Sequence, residues 1–490
     1  MALVRNVALT AVGAVLVLGA VVAVRTATYK PPAQVEAGAV KLAASIPIDN
    51  ARAAQHLGEA VRIQTVSHQD PAENQAGEWE KLHQWLQATY PAAHAAMTRD
   101  VVGKNSLVYT WRGSDPSLAP IILMAHQDVV PVTAGTEGDW KHGPFSGDVA
   151  DDAVWGRGSI DDKGSLVTLF EAADALAARG FKPRRTVYIV SGEDEEAGGS
   201  GAQAATAFLK KAGVTADWVL DEGMAVIDDH PLTHKPAAII GVAEKGYATL
   251  KVTAKAPGGH SSTPPKDTGV VTLSKALVAI ADHPFPLKFS GPGADMVKAL
   301  APEGGLAMKV VTANSWLFAP LLTSQFGKTP AGAAMLHTTI APTMLKGSPK
   351  ENVLPQDASG WINYRIAPGD TSRDVMERAQ SAVSGLPVTL GWIKTPNEPS
   401  PVSSTRSDGW KILAALAADQ SKVPVAPGLV VAGTDSRYLQ PVAKDVYRFQ
   451  PLVATLDDLK MIHGTNEHMT LKNLALMTDF YARLIATAAG

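Results

Sequence analysis

The chain has 490 residues, 46% of them hydrophobic and 19% charged, with a formal net charge of -3. That length exceeds what one core serves and divides into two or more domains, while the near-neutral balance, with no run of basic residues, excludes a nucleic-acid partner. Cysteine is absent, which excludes disulfides, thiolate-bound zinc and a cysteine nucleophile, and neither a Gly-x-Ser-x-Gly elbow nor a Walker A loop occurs.

Val7 to Val24 is uncharged and apolar or small, flanked by Arg5 and Arg25. About eighteen such residues suffice for a short membrane span. The segment reads as a signal anchor that places the rest of the chain on the exported face, periplasmic or extracellular. A cleaved signal peptide, which would make the protein secreted, and a buried helix are the alternatives. Arg25 stands where small cleavage-site residues belong. Lys30 to Ala39 then reads as an extended linker. Asp49 to Arg62 is the first globular helix, capped by Asp49 or Asn50. Gly77 to Ala88 is a second helix, with Trp79, Leu82 and Trp85 at helical spacing, and Ser106 to Trp111 is a strand.

From Ile121 to Gly223 strands and helices alternate. Ile121 to Ala125, Thr186 to Val190 and Trp218 to Leu220 are short apolar runs that suit buried parallel strands. Lys163 to Arg179 is an amphipathic helix with Leu166, Leu169, Phe170, Ala173 and Leu176 on one face, stopped by Gly180. This is a doubly wound α/β pattern. Near Glu244 the texture changes. Tyr247 to Ala254 alternates like a half-exposed antiparallel strand. Val271 to Ala281 and Ser372 to Val383 read as helices, Leu336 to Met344 and Gly360 to Ile366 as strands. Residues 284–330 carry many Pro and Gly and receive no assignment. Asp408 to Asp419 is a helix that returns to the first domain. The chain therefore divides into an anchor or signal segment with linker (1–43), a catalytic part (44–243), an inserted α+β lid (244–398) and a second catalytic part (399–490).

Five short segments carry the chemistry: His126-Gln-Asp128, Asp161-Asp-Lys-Gly164, Glu193-Asp-Glu-Glu196, Asp221-Glu-Gly223 and His463-Gly-Thr-Asn-Glu467. Three of them follow the apolar runs. In an open α/β sheet, ligands bind beyond the carboxyl ends of the strands, so these groups converge on one crevice. Two histidines with several carboxylates form a ligand set for zinc, manganese or cobalt. Each segment alone also has a plain structural reading: the Asp pair as helix caps, the acidic run as a solvated loop.

Taken in order, Met124-Ala-His-Gln-Asp-Val-Val-Pro131, Gly156-Arg-Gly-Ser-Ile-Asp-Asp-Lys-Gly164, Asp194 to Gly199, Leu220-Asp-Glu-Gly223, Gly259-His-Ser-Ser262, Gly433-Thr-Asp-Ser-Arg437 and His463 to Glu467 resemble the M20 family of metallopeptidases and aminoacylases. The nearest resemblance is to the carboxypeptidase S and N-acyl-amino-acid hydrolase branch, over residues 48–485. It implies a two-metal catalytic domain interrupted by a lid that often forms a homodimer. It places His126, Asp161, Glu196, Asp221 and His463 on two divalent metals, with Asp161 between them and a cis peptide after it. Asp162 and Lys163 then cap and start the helix. Asp128 pairs with His126, and Glu195 is the general base. His260 stabilises the oxyanion from the partner subunit's lid, and Asn352 and Arg365 hold polar groups of the substrate. His468 competes with His463 as ligand but belongs on the following helix.

The activity so implied is hydrolysis of an amide bond beside a free C-terminal amino acid, in N-acyl amino acids or short peptides. The alternatives are a dipeptidase or a deacylase of a biosynthetic intermediate and, outside the enzymes, a non-catalytic metal- or peptide-binding envelope protein.

Overall fold

Eight strands form one mixed sheet. Across it run Thr98–Val102, Ser106–Trp111, Val187–Ser191, Ile121–Met124, Ala216–Ile227, Ala443–Ala454, Ala237–Glu244 and Val425–Val430. The structure is a computed structural model and describes residues 2–36 and 38–490. The middle of the sheet is parallel: Ile121–Met124 pairs with Val187–Ser191 and Ala216–Ile227, and the latter with Ala443–Ala454. The Thr98–Trp111 hairpin adds antiparallel strands at one edge.

Every residue of Ile121–Met124 is buried, and the two-residue period sends them to opposite faces. Ile121 and Leu123 join a cluster with Leu166, Phe170 and Leu484. Ile122 and Met124 join another with Ala202, Ala205 and Leu209. Helices Lys163–Ala178 and Leu471–Ala489 thus cover one face and Ser200–Lys211 the other, which is why these strands are apolar throughout. The first globular helix, Asn50–Arg62, is capped by Asp49, whose carboxylate accepts from Ala51 N and Arg52 N.

The second sheet is four-stranded and antiparallel, in the order Thr339–Lys346, Asp357–Ile366, Gly246–Lys255, Val388–Trp392. Helix Gly269–Ala281 and helix Ser372–Ala382 cover it through Leu273, Ile280, Val375 and Ala379. Residues 284–330, which carry no assignment from sequence, are largely helical: Gly291–Leu300, Gly305–Ala313 and Ser315–Phe326, followed by Pro330–Ala334. Pro292 and Pro330 stand in first turns, where a missing N–H costs nothing, so there they start helices instead of breaking them. Met296, Ala299 and Leu300 pack on Ile227, Ala237, Ile239 and Ala426 of the large sheet, so this excursion leaves the lid sheet. One further element differs from expectation. His468 lies on a short strand, His468–Thr470, before the last helix; it pairs with Trp155 and stacks on it at 4.2 Å.

Candidate two-metal site

The Ile121–Met124 strand delivers His126, Gln127 and Asp128, all buried. His126 Nδ1 lies 3.0 Å from Asp128 O and 3.2 Å from its Oδ1. Nε2 faces outward, 2.9 Å from Asp161 Oδ1. The Asp128 side therefore holds the ring proton and leaves Nε2 as the donor atom. The same carboxylate accepts from Ser67 Oγ at 2.5 Å, Glu195 N at 3.1 Å and Glu196 N at 3.2 Å. Asp128 thus fixes an imidazole and a distant acidic turn at once.

Asp161 stands between two histidines. One oxygen is 2.9 Å from His126 Nε2 and the other 3.1 Å from His463 Nε2. The Asp161–Asp162 peptide is cis. The Asp162 carboxylate turns inward, accepting from His126 N at 3.1 Å and Gln450 Nε2 at 3.0 Å. It makes no capping bond to the helix it precedes, contrary to the expectation from sequence. A buried carboxylate here serves the backbone of the neighbouring strand end instead.

His463 adopts a left-handed conformation, φ 61°, and its Nε2 is 2.9 Å from Glu196 Oε1. Its loop is tied to that of Asp161 by Glu467, which accepts from Ile160 N at 2.9 Å and Asp161 N at 3.1 Å. Arg157 completes the tie, 2.7 Å from Glu467 Oε2 and 2.9 Å from Gly464 O.

The acidic run splits by role. The Glu193 carboxylate accepts from Lys104 N and Asn105 N. Asp194 accepts from Ser200 N at 3.0 Å and Gly201 N at 2.8 Å, capping helix Ser200–Lys211 from outside. The first half of the run is therefore structural, but as a buried acceptor of backbone N–H groups and a helix cap, not as a solvated loop. Glu195 and Glu196 keep their carboxylates for the crevice.

Asp221 and Glu222 also divide. Asp221 Oδ2 accepts from Ser436 N at 2.9 Å, above a buried network in which Glu244 accepts from Thr434 and pairs with Arg448 at 2.8 Å. Glu222 Oε1 is the carboxylate oxygen near His126 Nε2, at 3.7 Å. Strand pairing explains the split. The ladder with Ala443–Ala454 jumps from Arg448↔Asp221 to Phe449↔Met224, and Gly223 has φ 136°. Glu222 bulges out of the ladder toward the crevice. Of the sequence-predicted ligands, the structure gathers His126, Asp161, Glu196 and His463. It turns Asp221 toward Ser436 and puts Glu222, which sequence reasoning missed, on the crevice side.

Two donor groups share His126: one with Asp162 and Glu222, the other with Asp161 and Glu196, the donor atoms of each lying within 4.8 Å of one another. Burial raises the carboxyls of Glu195, Glu196 and Glu222, and the negative charges around them add to it. Hydrogen bonds donated to the Asp161 and Glu196 carboxylates push His463 up to about 10. Burial opposes charge at Asp161 too, yet His126 and His463 together hold it below the usual carboxylate range. So many acids crowded on two imidazoles suit divalent cations, which offset the repulsion and take the place of the protons. The residues present fit two divalent metal ions.

The lid residues stand apart. His260 is exposed, with Nδ1 2.8 Å from Ser262 Oγ. It pairs with Val353, next to Asn352, in a two-stranded ribbon. Among the described residues no hydrogen bond or ion pair joins either of them to the metal-side groups of the same chain. Arg365 stacks on Tyr247 at 4.8 Å. Burial lowers its pKa and the charge of Arg437 adds to this. Burial, with Arg365 adding, also lowers Lys245 to about 8. Neither Arg365 nor Arg437 pairs with a carboxylate among the described residues. Arg437 lies within the field of Glu195, and its place in Gly433-Thr-Asp-Ser-Arg437 was the signal that could have found it.

Comparison with known proteins agrees with this geometry. Residues 122–487 match peptidase family M20/M25/M40. The chain is 37% identical over 397 residues to N-fatty-acyl-amino acid synthase/hydrolase PM20D1 of Homo sapiens, covering 79% of this chain and 78% of the relative. It is 34% identical over 413 residues to probable carboxypeptidase S-like 2 of Dictyostelium discoideum, covering 83% and 79%. In fold it is similar to an M20 family metallo-carboxypeptidase from Sulfolobus solfataricus, with a TM-score of 0.63 and 15% identity over 88% of this chain and 97% of that one. It is also similar to human carnosine dipeptidase 1, with a TM-score of 0.60 and 16% identity over 89% and 96%.

Proposed function

The chain belongs to peptidase family M20/M25/M40, and from that premise we propose that it hydrolyses N-acyl amino acids, or short peptides at their C-terminal residue. The observation that carries the reading is Glu195. Its backbone is pinned by Asp128 beside the ligand cluster, yet its carboxylate makes no hydrogen bond or ion pair among the described residues. A binding protein needs no such base; a hydrolase does.

His126, Asp161 and Glu222 would hold one ion, and Asp161, Glu196 and His463 the other; zinc suits the set, with manganese or cobalt as alternatives. Bound there, two divalent ions polarise a carbonyl and lower the pKa of water. Glu195 takes the attacking water's proton and returns it to the leaving amine. Asp128 keeps His126 in one tautomer and the Glu195–Glu196 turn in place. Arg365 and Arg437 present planar forks to the free carboxylate of the amino acid, and Asn352 adds a polar contact. His260, exposed and away from its own chain's cluster, donates to the oxyanion across a lid-to-lid homodimer.

Relatives named as N-fatty-acyl-amino acid synthase/hydrolase and as carboxypeptidase S-like support these two substrate classes. Helix Ala2–Ala27 is apolar and lies outside the protein core, which supports a membrane anchor with the catalytic domains exported. The test is a hydrolysis screen of N-acyl amino acids and dipeptides with added zinc, manganese or cobalt, alongside the same compounds amidated at the carboxylate. Chelator-sensitive release of amino acid, lost on amidation, is expected. No turnover with any metal would favour a non-catalytic metal- or peptide-binding envelope protein.

A further inference from the structure

Residues 304–327 form a stretch in which Lys309 is the only charged residue. Helices Gly305–Ala313 and Ser315–Phe326 meet there at a 119° bend. Apolar side chains of both are left in the open: Leu306 is 73% exposed, Trp316 54% and Leu321 45%. On the second helix Trp316, Leu317, Pro320 and Leu321 share one face, while Leu322 makes the buried contact. Apolar side chains gathered this way mark a contact surface.

The bend is fastened to the N-terminal helix. Asn314 Nδ2, buried at the turn, lies 3.1 Å from Thr26 Oγ1 and 3.3 Å from Val22 O. Arg25 Nε reaches Ala313 O at 3.4 Å, and Tyr29 OH donates to Lys298 O at 2.7 Å. The apolar surface of the helix pair therefore continues that of Leu3–Ala27 at the end where Arg25 and Lys30 mark the return to water. At 1.5 Å per residue the second helix is about 18 Å long, short of the roughly 30 Å hydrocarbon core. It is suited to lie in the interface, with Trp316 at the depth aromatic side chains favour.

We propose that the Gly305–Phe326 helix pair is a second membrane-contacting element. Its occupant is a lipid bilayer surface, and together with the N-terminal helix it seats the catalytic domain against that surface. The inference rests on the anchor reading given above. It also gives a physical reason for an apolar helical excursion that leaves the lid sheet and packs one helix on the catalytic domain.

The absence of native cysteine allows single nitroxide labels on the full-length, metal-loaded protein in phosphatidylcholine–phosphatidylglycerol vesicles. Labels go on Leu306→Cys, Leu321→Cys, Val15→Cys in the anchor and Val402→Cys as an exposed control; all four native side chains are exposed. Collision with oxygen, which partitions into lipid, is compared with collision with a water-soluble nickel chelate. The oxygen-to-nickel ratio at positions 306 and 321 should exceed that at 402 severalfold. Ratios equal to the control, with position 15 in lipid, would overturn the inference and leave the anchor intact. Position 15 in water as well would bring down both. Dipolar broadening between labels at 306 or 321 would mean that a second copy covers this face, and would also overturn it. Hydrolysis measured on the same vesicles reports on the activity separately.

Discussion

Arg157 and Glu467 form a buried ion pair, 2.7 Å between Nη1 and Oε2, that joins the loop carrying Asp161 to the loop carrying His463. The two loops lie about 300 residues apart in sequence, and the pair sets their spacing. Glu467→Gln keeps an acceptor for Ile160 N and Asp161 N but leaves the Arg157 charge uncompensated. Breaking one partner of a buried pair costs about 3–5 kcal/mol. Denaturant unfolding of the metal-free protein should show that loss, with part of it recovered in the Arg157→Met, Glu467→Gln double variant. An unchanged midpoint would mean that the pair does not hold the loops.

Asp221 and Glu222 give a second test. Glu222→Gln should lower the number of ions retained after dialysis, because its carboxylate faces His126. Asp221→Asn should keep both ions bound while loosening the Thr434–Ser436 turn that its oxygen holds. The reverse pattern in metal analysis would return the ligand role to Asp221.

If the lids pair as proposed, His260 should act on the partner's site. His260→Ala should lower kcat by about 10²–10³, the usual effect of removing one oxyanion donor, with metal content unchanged. Mixing this variant with an inactive Glu195→Gln chain should restore activity in the heterodimer, since one site then has both groups. Absence of any recovery in confirmed mixed dimers would contradict a contribution from the partner.

Burial lowers His230 to about 4, and its Nδ1 accepts from Leu232 N at 3.2 Å. The folded state keeps it neutral below the pH at which the unfolded chain protonates, near 6.5. Between these values the unfolded chain binds more protons, so stability falls as pH drops from about 6.5 to about 4, by at most roughly 3 kcal/mol. His230→Asn can still accept the N–H and should flatten the fall in Tm across that window. An equally steep fall would assign the acid sensitivity to other groups.

Much of the catalytic sheet was legible because burial on both faces demands continuous apolar runs, as in Ile121–Met124. The ligand segments were legible because they follow those runs. What was not legible depended on parity or on tertiary support. Adjacent Asp221 and Glu222 differ only by a bulge at Gly223, which a sequence does not display. Asp162 has the look of a helix cap, yet it serves His126 N because a strand end lies above it. His468 sits in a strand created by a partner, Trp155, far away in sequence. The helices between 284 and 330 were hidden by prolines that stand in first turns, and by Pro320, which lies within the Ser315–Phe326 helix.

The most direct test of the account is Glu195→Gln, assayed beside Glu196→Gln. Asp128 pins the backbone of both residues, but only the Glu196 carboxylate meets His463. Glu195→Gln should retain both ions and bind substrate while turnover falls by about 10²–10⁴, the contribution of general acid–base catalysis. Glu196→Gln should lose metal, with activity partly rescued by excess ion. Metal loss in Glu195→Gln together with metal retention in Glu196→Gln, or normal hydrolysis by both variants, would contradict the account.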